Sequence, residues 1–311
     1  PVNGTDWMPT VCAALDIPLP DARTIDGVDI TPALLGKPVY LWSQSIGPFA
    51  GRFQEWLVEC SLRGVRIVFA REDDTRNRLE QWTDRGRMPA VHPAADGAFL
   101  LTGAVPPAEL PAPPPGGIRV GLTVRNWFRE ETRQEEYERT FGRFAGWLAR
   151  EMDAAVFLVP QVTWAGGGDD DRDAAKRALA HAGETGRIHL IEDELDPAGI
   201  RGLCGEMDFF VGTRMHSNIF ALSMNVPVLA VGYQPKSAGI MARLGLERFV
   251  LPIEDLRPEE MQQAFSRLRE EREEISATLR EQIPRVREEA REAGRLIEED
   301  FKKLSSKETT R

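Results

Sequence analysis

Residues 207–236 read MDFFVGTRMHSNIFALSMNVPVLAVGYQPK, and the order of residue types predicts strand, polar turn, helix, strand and polar turn. Phe209-Phe210-Val211 is a short apolar run of the buried-strand kind, closed by Gly212 and Thr213. Arg214 and His216 fall where the next helix should start. Ser217 to Met224 gives that helix, with Ile219, Leu222 and Ser223 at one-face spacing. Asn225 ends it, and Val226 to Val231 is a second buried strand. A cation, an imidazole and a hydroxyl at the C-terminal end of a strand, beside the free N–H groups of a helix start, make an anion site. The competing reading is that Arg214 and His216 only cap the helix and pair with nearby carboxylates.

Outward from this stretch the totals set limits. A chain of 311 residues can bury a sizeable core, and its length suggests two domains. The net charge of −10 argues against a nucleic-acid partner or an anionic membrane surface, so an anionic substrate must be held by a local positive site. Three cysteines, Cys12, Cys60 and Cys204, lie far apart and form no C-x-x-C pair. That speaks against a paired zinc site or a disulfide framework, and fits a reducing compartment, hence a cytoplasmic location. No run has the length of a transmembrane helix, and no signal-peptide pattern opens the chain. The start at Pro1 without a methionine reads as a fragment of a longer chain.

The chain falls into five segments. Residues 1–37 carry a short amphipathic helix (Thr10 to Leu15) and Pro-punctuated loops. Residues 38–105 read as a partial N-terminal α/β domain, with strands at Val39 to Gln44 and Val65 to Ala70 and helices at Phe53 to Arg63 and Glu72 to Arg85. Residues 106–117, PPAELPAPPPGG, are Pro-rich and extended, and the domain boundary is expected there. Residues 118–255 alternate strands and helices, which predicts a parallel sheet covered on both faces, a C-terminal Rossmann-like domain. Strands are expected at Arg119 to Val124, Ala154 to Val159, Ile188 to Ile191, Asp208 to Val211, Val226 to Val231 and Phe249 to Leu251. Right-handed crossovers put their C-terminal ends on one edge. Four polar turns then share a rim: Arg125-Asn126-Trp127, residues 161–168, Thr213 to Ser217, and Tyr233 to Ser237. Residues 256–311 are charged helices with an apolar stripe (Met261, Phe265, Leu268, Ile275, Leu279, Ile283, Val286) and a kink expected at Pro284.

Among the rim residues, Arg125 follows VGLTV and suits bidentate contact with a carboxylate or phosphate, or a rim salt bridge to Glu130 or Glu131. Lys236 heads a helix after Tyr233-Gln234-Pro235 and can neutralise a phosphate as a point charge, or be a plain surface lysine. Gly166-Gly167-Gly168 before Asp169-Asp170-Asp171 matches no phosphate-loop pattern, and the aspartates read as helix caps or solvated groups rather than metal ligands. His92, His181 and His189 do not cluster and read as structural. No nucleophile elbow, Walker loop or G-x-G-x-x-G is present in the sequence. Three cations and one histidine on a rim suit electrostatic stabilisation and acid–base work on a phosphorylated carboxylate more than covalent catalysis.

These pieces together, WSQSIGPF (42–49), IVFAREDDT (67–75), ADGAFLL (95–101), GLTVR (121–125), the stretch 207–233 and Lys236, resemble the polysaccharide pyruvyl transferase family over residues 39–251. The resemblance implies a two-domain α/β fold of the GT-B kind, with Rossmann-like domains. It also implies transfer of pyruvyl from phosphoenolpyruvate, the donor substrate, with no cofactor and no metal. The acceptor would be sugar hydroxyls of a cell-envelope glycan or a glycolipid precursor, which leaves peripheral membrane contact open, as it does the oligomeric state. Carried over by position, Arg125 and His216 are the catalytic candidates and hold phosphoenolpyruvate, Met215 lines it, and Arg214 and Lys236 add charge; Asn126 and Ser217 complete the substrate-binding set. The family's G-N-x-G-D type start does not appear here, so an incomplete N-terminal domain is expected. In its place residues 6–37 resemble a sulfatase C-terminal segment without that family's nucleophile motif. Two other readings stay open: a nucleotide-sugar glycosyltransferase of similar fold, for which Glu254 is the one ribose-gripping candidate, and a non-catalytic remnant.

Overall fold

The computed structural model describes residues 38–47, 49, 51–83, 88–105, 110–163, 170–232 and 236–308, without the side chains of 57, 83, 236, 237, 307 and 308. The sulfatase-like segment and the Gly166 to Gly168 turn therefore lie outside the described residues. By its internal contacts the chain divides into two units, one of residues 1–95 with 291–311 and one of residues 96–290.

In the first unit, β1 (Val39–Gln44), β2 (Val65–Ala70) and β3 (Ala90–Pro93) form a parallel sheet in the order β1-β2-β3. They are joined through α1 (Arg52–Leu62) and α2 (Asp73–Thr83). Val68, Leu79, Trp82 and Leu62 pack together between sheet and helices, where the apolar run VRIVFA meets its helical neighbours. Strand β3 was not expected from the sequence. Ala-Val-His-Pro is four residues long with no alternation to read, and its pairing with Ile67 to Ala70 is a purely tertiary fact. Two of the sequence motifs meet at the C-terminal ends of β1 and β2. The Ser45 hydroxyl donates to both oxygens of Glu72 at 2.6 and 2.8 Å, Arg71 Nε donates to Glu72 at 2.7 Å, and the Ile46 amide donates to Thr75 Oγ1 at 2.9 Å. The polar residues of SQSIGP and REDDT thus bind one another across two strand ends. Gly47, at φ +94, makes the turn that follows, a conformation that costs other residues more.

The last part of the C-terminal helix belongs to this unit as well. Asp300 accepts from Arg66 Nε and Nη2 at 2.6 and 2.7 Å and from the Tyr40 hydroxyl at 2.6 Å. The Arg66 hydrogen bonds hold Asp300 down to about 2, against an ordinary 3.8, while burial pushes Tyr40 up to about 12. A carboxylate with a depressed folded value stabilises the native state above the unfolded value and loses that contribution as pH falls through the folded one. We therefore expect the Asp300 contribution to be complete above about pH 4 and lost towards pH 2. With Arg66 partly solvent-screened, Arg66→Ala should cost about 1 kcal/mol at neutral pH and flatten that acid limb. Urea denaturation of both proteins at pH 7 and pH 3 checks this; equal differences at the two pH values would refute it.

The second unit holds six strands in the order β6-β5-β4-β7-β8-β9, all pairings parallel. They are β4 (Ile118–Leu122), β5 (Ala154–Leu158), β6 (Ile188–Leu190), β7 (Phe209–Gly212), β8 (Val228–Gly232) and β9 (Val250–Pro252). Helices α3 (Glu131–Glu151), α4 (Asp171–Leu179), α5 (Pro197–Gly205), α6 (Met215–Ser223) and α7 (Lys236–Arg243) alternate with them. Every residue of β5, β7 and β8 is buried, which is why these strands read as unbroken apolar runs: helices cover both faces. Asn225, at φ +62, closes α6 in the left-handed conformation that asparagine tolerates. The chain runs from β4 outwards to β5 and β6, then returns to the other side of β4 for β7, β8 and β9. The switch point of the sheet therefore lies between β4 and β7.

Two helices end the chain, α8 (Pro258–Glu270) and α9 (Arg272–Glu308), and Pro284 lies inside the latter. Met261, Phe265, Leu268, Ile275, Leu279, Ile283 and Val286 are all buried, so the predicted stripe is a packing face. The division into units differs from the one that composition suggests. It falls between Ala95 and Asp96, ahead of the Pro-rich stretch, and splits α9 at Ala290. Two arginines contribute to this. Arg201 Nη1 donates to the carbonyls of Thr102 and Gly103 at 3.2 and 3.0 Å, and Arg287 Nε donates to that of Phe99 at 3.2 Å. These bonds fasten residues 97–103, including a short 3-10 turn at Gly97–Leu100 capped by Asp96, to the second unit.

Candidate functional site

The two turns that leave β4 and β7 are locked together. Leu122 pairs with Val211 in the sheet, and just beyond them Thr123 and Thr213 clasp each other. Thr123 Oγ1 accepts from the Thr213 amide at 2.7 Å and from the Arg214 amide at 3.3 Å, while Thr213 Oγ1 donates to the Thr123 carbonyl at 3.0 Å. Arg125 and Asn126 thus emerge beside Arg214, Met215, His216 and Ser217 at the carboxyl ends of adjacent strands. This is the switch point at which open α/β sheets form their sites. Lys236 begins α7 after β8, the next strand along; its side chain lies outside the described residues.

The Arg125 turn is built by a glutamine that sequence reading passed over. Gln134 Oε1 accepts from the Trp127 and Phe128 amides at 2.9 and 3.0 Å, and its Nε2 donates to the Arg125 carbonyl at 3.1 Å and to Glu138 at 2.6 Å. Glu138, itself buried, takes a two-nitrogen grip from Arg177, whose Nη2 also donates to Asn126 Oδ1 at 2.6 Å. The Tyr137 hydroxyl accepts from the Arg125 amide at 3.3 Å, and burial pushes its phenol far above the usual range, so it stays protonated. The half-buried Arg125 guanidinium lies over the Trp127 ring at 5.1 Å. Asn126, expected to touch substrate, is held by Arg177, so its amide serves the turn.

On the other side, α6 begins at Met215, two residues earlier than the expected Ser217, with Arg214 as its N-cap and no side-chain cap. A helix start of this kind presents unsatisfied N–H groups and the positive end of the dipole. His216, second in the helix, is exposed, and Met215 is half-buried. Ser217 is fully buried and its hydroxyl donates to the Arg214 carbonyl at 2.7 Å. Asn218 Nδ2 donates to the Gly212 carbonyl at 3.1 Å, tying the helix start back to β7.

Arg214 holds a different post from the one its sequence position suggests. Its Nη2 and Nε donate to Asp171 at 2.6 and 3.1 Å, and Asp171 is wholly buried. The same carboxylate accepts from the amides of Gln161 and Val162 at 3.1 and 3.0 Å. Arg214 therefore neutralises a buried anion and joins the β5 and β7 turns. Of the aspartates expected to cap or stay in solvent, Asp170 does cap α4, and Arg172 holds its carboxyl below the usual range; Asp171 does neither. Among the described residues no group of three His, Cys, Asp or Glu side chains is placed to hold a metal ion, and no helix is long and apolar enough to cross a membrane. Cys204 is a buried free thiol pushed up by that burial.

The sequence match now carries weight beside this geometry. Residues 19–235, well over half of the chain, match the family of polysaccharide pyruvyl transferases. The chain belongs to this family. The family match spans both strand ends that make the switch point, and it begins within the sulfatase-like segment. A curated relative, the amylovoran biosynthesis protein AmsJ of Erwinia amylovora, is 26% identical over 241 residues, covering 72% of this chain and 56% of its own length. The chain thus spans little more than half of that relative. Among solved structures, a putative UDP-N-acetylglucosamine 2-epimerase from Listeria monocytogenes is similar with a TM-score of 0.57 at 17% identity, over 96% of this chain and 78% of its own. An α,α-trehalose-phosphate synthase (UDP-forming) from Burkholderia vietnamiensis also gives 0.57, at 12% identity, over 89% and 70%. At such identities the likeness shows the fold, two Rossmann-like α/β units of the GT-B kind.

Proposed function

We propose that this chain transfers the pyruvyl group of phosphoenolpyruvate to hydroxyls of a sugar in a cell-envelope polysaccharide or its lipid-linked precursor. The observation that supports it most is the pairing of the Arg125 turn and the uncapped His216 helix start across the switch point. That gives a trianionic donor a guanidinium, helix N–H groups and an imidazole at one place. With Arg214 spent on Asp171, Arg125 is the principal charge, and Lys236 is placed one strand further on to meet the phosphate. Met215 contributes its backbone, Ser217 fixes the helix start, and Asn126 fixes the turn.

The reaction follows from the donor's own electronics. A proton delivered to the methylene carbon leaves a cationic centre at the neighbouring carbon, stabilised by its phosphate oxygen. A sugar hydroxyl attacks that carbon and gives up its proton, and the carbon–oxygen bond to phosphate then breaks, releasing inorganic phosphate. A second hydroxyl of the same sugar closes the cyclic ketal. His216 is the acid for the methylene or for the departing phosphate, roles for which an exposed imidazole at the strand-end rim is suited. The nucleotide-sugar alternative has the fold in its favour. Glu254, its ribose candidate, is an exposed residue on the loop after β9, where it lines a cavity with Phe128, Arg133 and Tyr137.

The test is incubation with phosphoenolpyruvate and β-galactoside or N-acetylhexosamine acceptors, with phosphate release followed and the ketal confirmed by mass. Turnover of a UDP-sugar instead would favour the glycosyltransferase, and silence with both donors would favour a non-catalytic role.

A further inference from the structure

Between α3 and α8 the surface opens into a groove of about 520 Å³, a size within the range of small-ligand sites, about 300–1,000 Å³. Trp147 is its one aromatic member; Gln262, Gln263 and Ser266 supply neutral polar groups, and Glu259, Arg267 and Glu270 supply charge. The groove lies apart from the strand-end rim, since Trp147 stands roughly 24 Å along α3 from the helix start beside the Arg125 turn. Its indole is part-exposed and fixed in place. It stacks on Phe144 at 5.8 Å and 22° and meets Phe265 edge-on at 6.2 Å and 89°, and both phenyl rings are buried. The indole Nε1–H makes no hydrogen bond, and the six polar side chains make no hydrogen bond or ion pair with any described residue. Other charged groups on the same unit do pair, as Arg139 does with Glu135 and Arg248 with Glu271.

The chemistry of the groove narrows what it can take. With one arginine against two glutamates, an anion meets no excess of positive charge. One aromatic ring among polar groups gives an apolar helix too little to bury. A pyranose ring suits both halves. Its C–H face is apolar and lies flat on an indole, whose π face is electron-rich, while the hydroxyls at its edge donate and accept, as glutamine and serine side chains do. We propose that this groove is a second glycan-binding site, which holds sugar rings of a polysaccharide chain on Trp147, away from the reacting centre. The proposal goes beyond pyruvyl transfer. A long chain anchored there presents its next sugar to the strand-end site at a raised local concentration. The fixed ring keeps the ordering cost of binding low.

Calorimetry on the intact chain with cellohexaose, β-1,4-galactohexaose and chitohexaose tests this. The expected result is saturable binding of at least one of them, weakened about tenfold by Trp147→Ala. The double variant Gln262→Ala with Gln263→Ala should weaken it several-fold. Those two side chains bond to nothing in the protein, so their removal should leave the fold unchanged, and this variant decides the matter where Trp147→Ala does not fold. The indole N–H resonance of Trp147, assigned by its loss in Trp147→Phe, should shift along the same saturation curve. Absence of binding by all three hexasaccharides would overturn the proposal. So would binding that leaves either this resonance or the affinity of the double variant unchanged. No phosphoenolpyruvate enters the measurement, so failure of pyruvyl transfer leaves the site standing, and failure of the site leaves pyruvyl transfer standing.

Discussion

His216→Ala is expected to lower the rate of phosphoenolpyruvate-dependent phosphate release by about 10²–10⁴-fold, the contribution usual for a positioned acid or base. The side chain is exposed at the second position of α6, and among the described residues it makes no hydrogen bond or ion pair. Stability should therefore stay within about 0.5 kcal/mol of the parent. That separation makes the variant informative. Single-turnover phosphate release beside a denaturation curve reads both quantities, and a folded His216→Ala protein with undiminished transfer would remove the imidazole from the mechanism. Arg125 is less clean as a probe, because its guanidinium also lies on Trp127 and its loss would disturb the turn.

The largest effect on stability is expected from Asp171→Ala. Its carboxylate is wholly buried and receives two nitrogens of Arg214 and two backbone amides. Removing one partner of a buried pair leaves the other charge without compensation, typically at about 3–5 kcal/mol. Two amides would lose their acceptor as well. For a chain of this size the melting temperature should fall by roughly 10 °C. Asp171→Asn, which keeps the shape and one acceptor oxygen, should fall between the two. A loss below about 1 kcal/mol in Asp171→Ala would show that Arg214 does not depend on this carboxylate, and would return it to the list of phosphate-binding cations. The stability curve thus decides a question about the site.

Much of this arrangement is legible in the residues alone, for a definite reason. Strands covered by helices on both faces must be apolar throughout, so FFVG and VLAVG announce themselves without any partner in view. Local chemistry marks their ends equally well. Asn225 stops α6 because asparagine tolerates the left-handed turn, and Asp196 accepts from the Gly199 amide at 2.7 Å to start α5. The family pieces could be read too, since each is a contiguous motif. What stayed hidden was sideways information. Ala90 to Pro93 is a strand only because β2 lies beside it, and residues 97–103 join the second unit through long-range contacts such as those of Arg201 and Arg287 with their carbonyls.

The residues of the opening stretch determined that a cation and an imidazole would follow a buried strand, and that the chain around them would alternate strand and helix. They determined this because periodicity, caps and turn chemistry act over a few neighbours. How the two arginines are paired was decided by the tertiary structure. The strand order puts β4 against β7 and so brings Arg125 to His216. The fold also delivers Asp171, 43 positions away in the chain, to the guanidinium of Arg214. Charge pairing across a sheet edge depends on distances that no local pattern encodes, and here it separates two arginines that the sequence presents as equals.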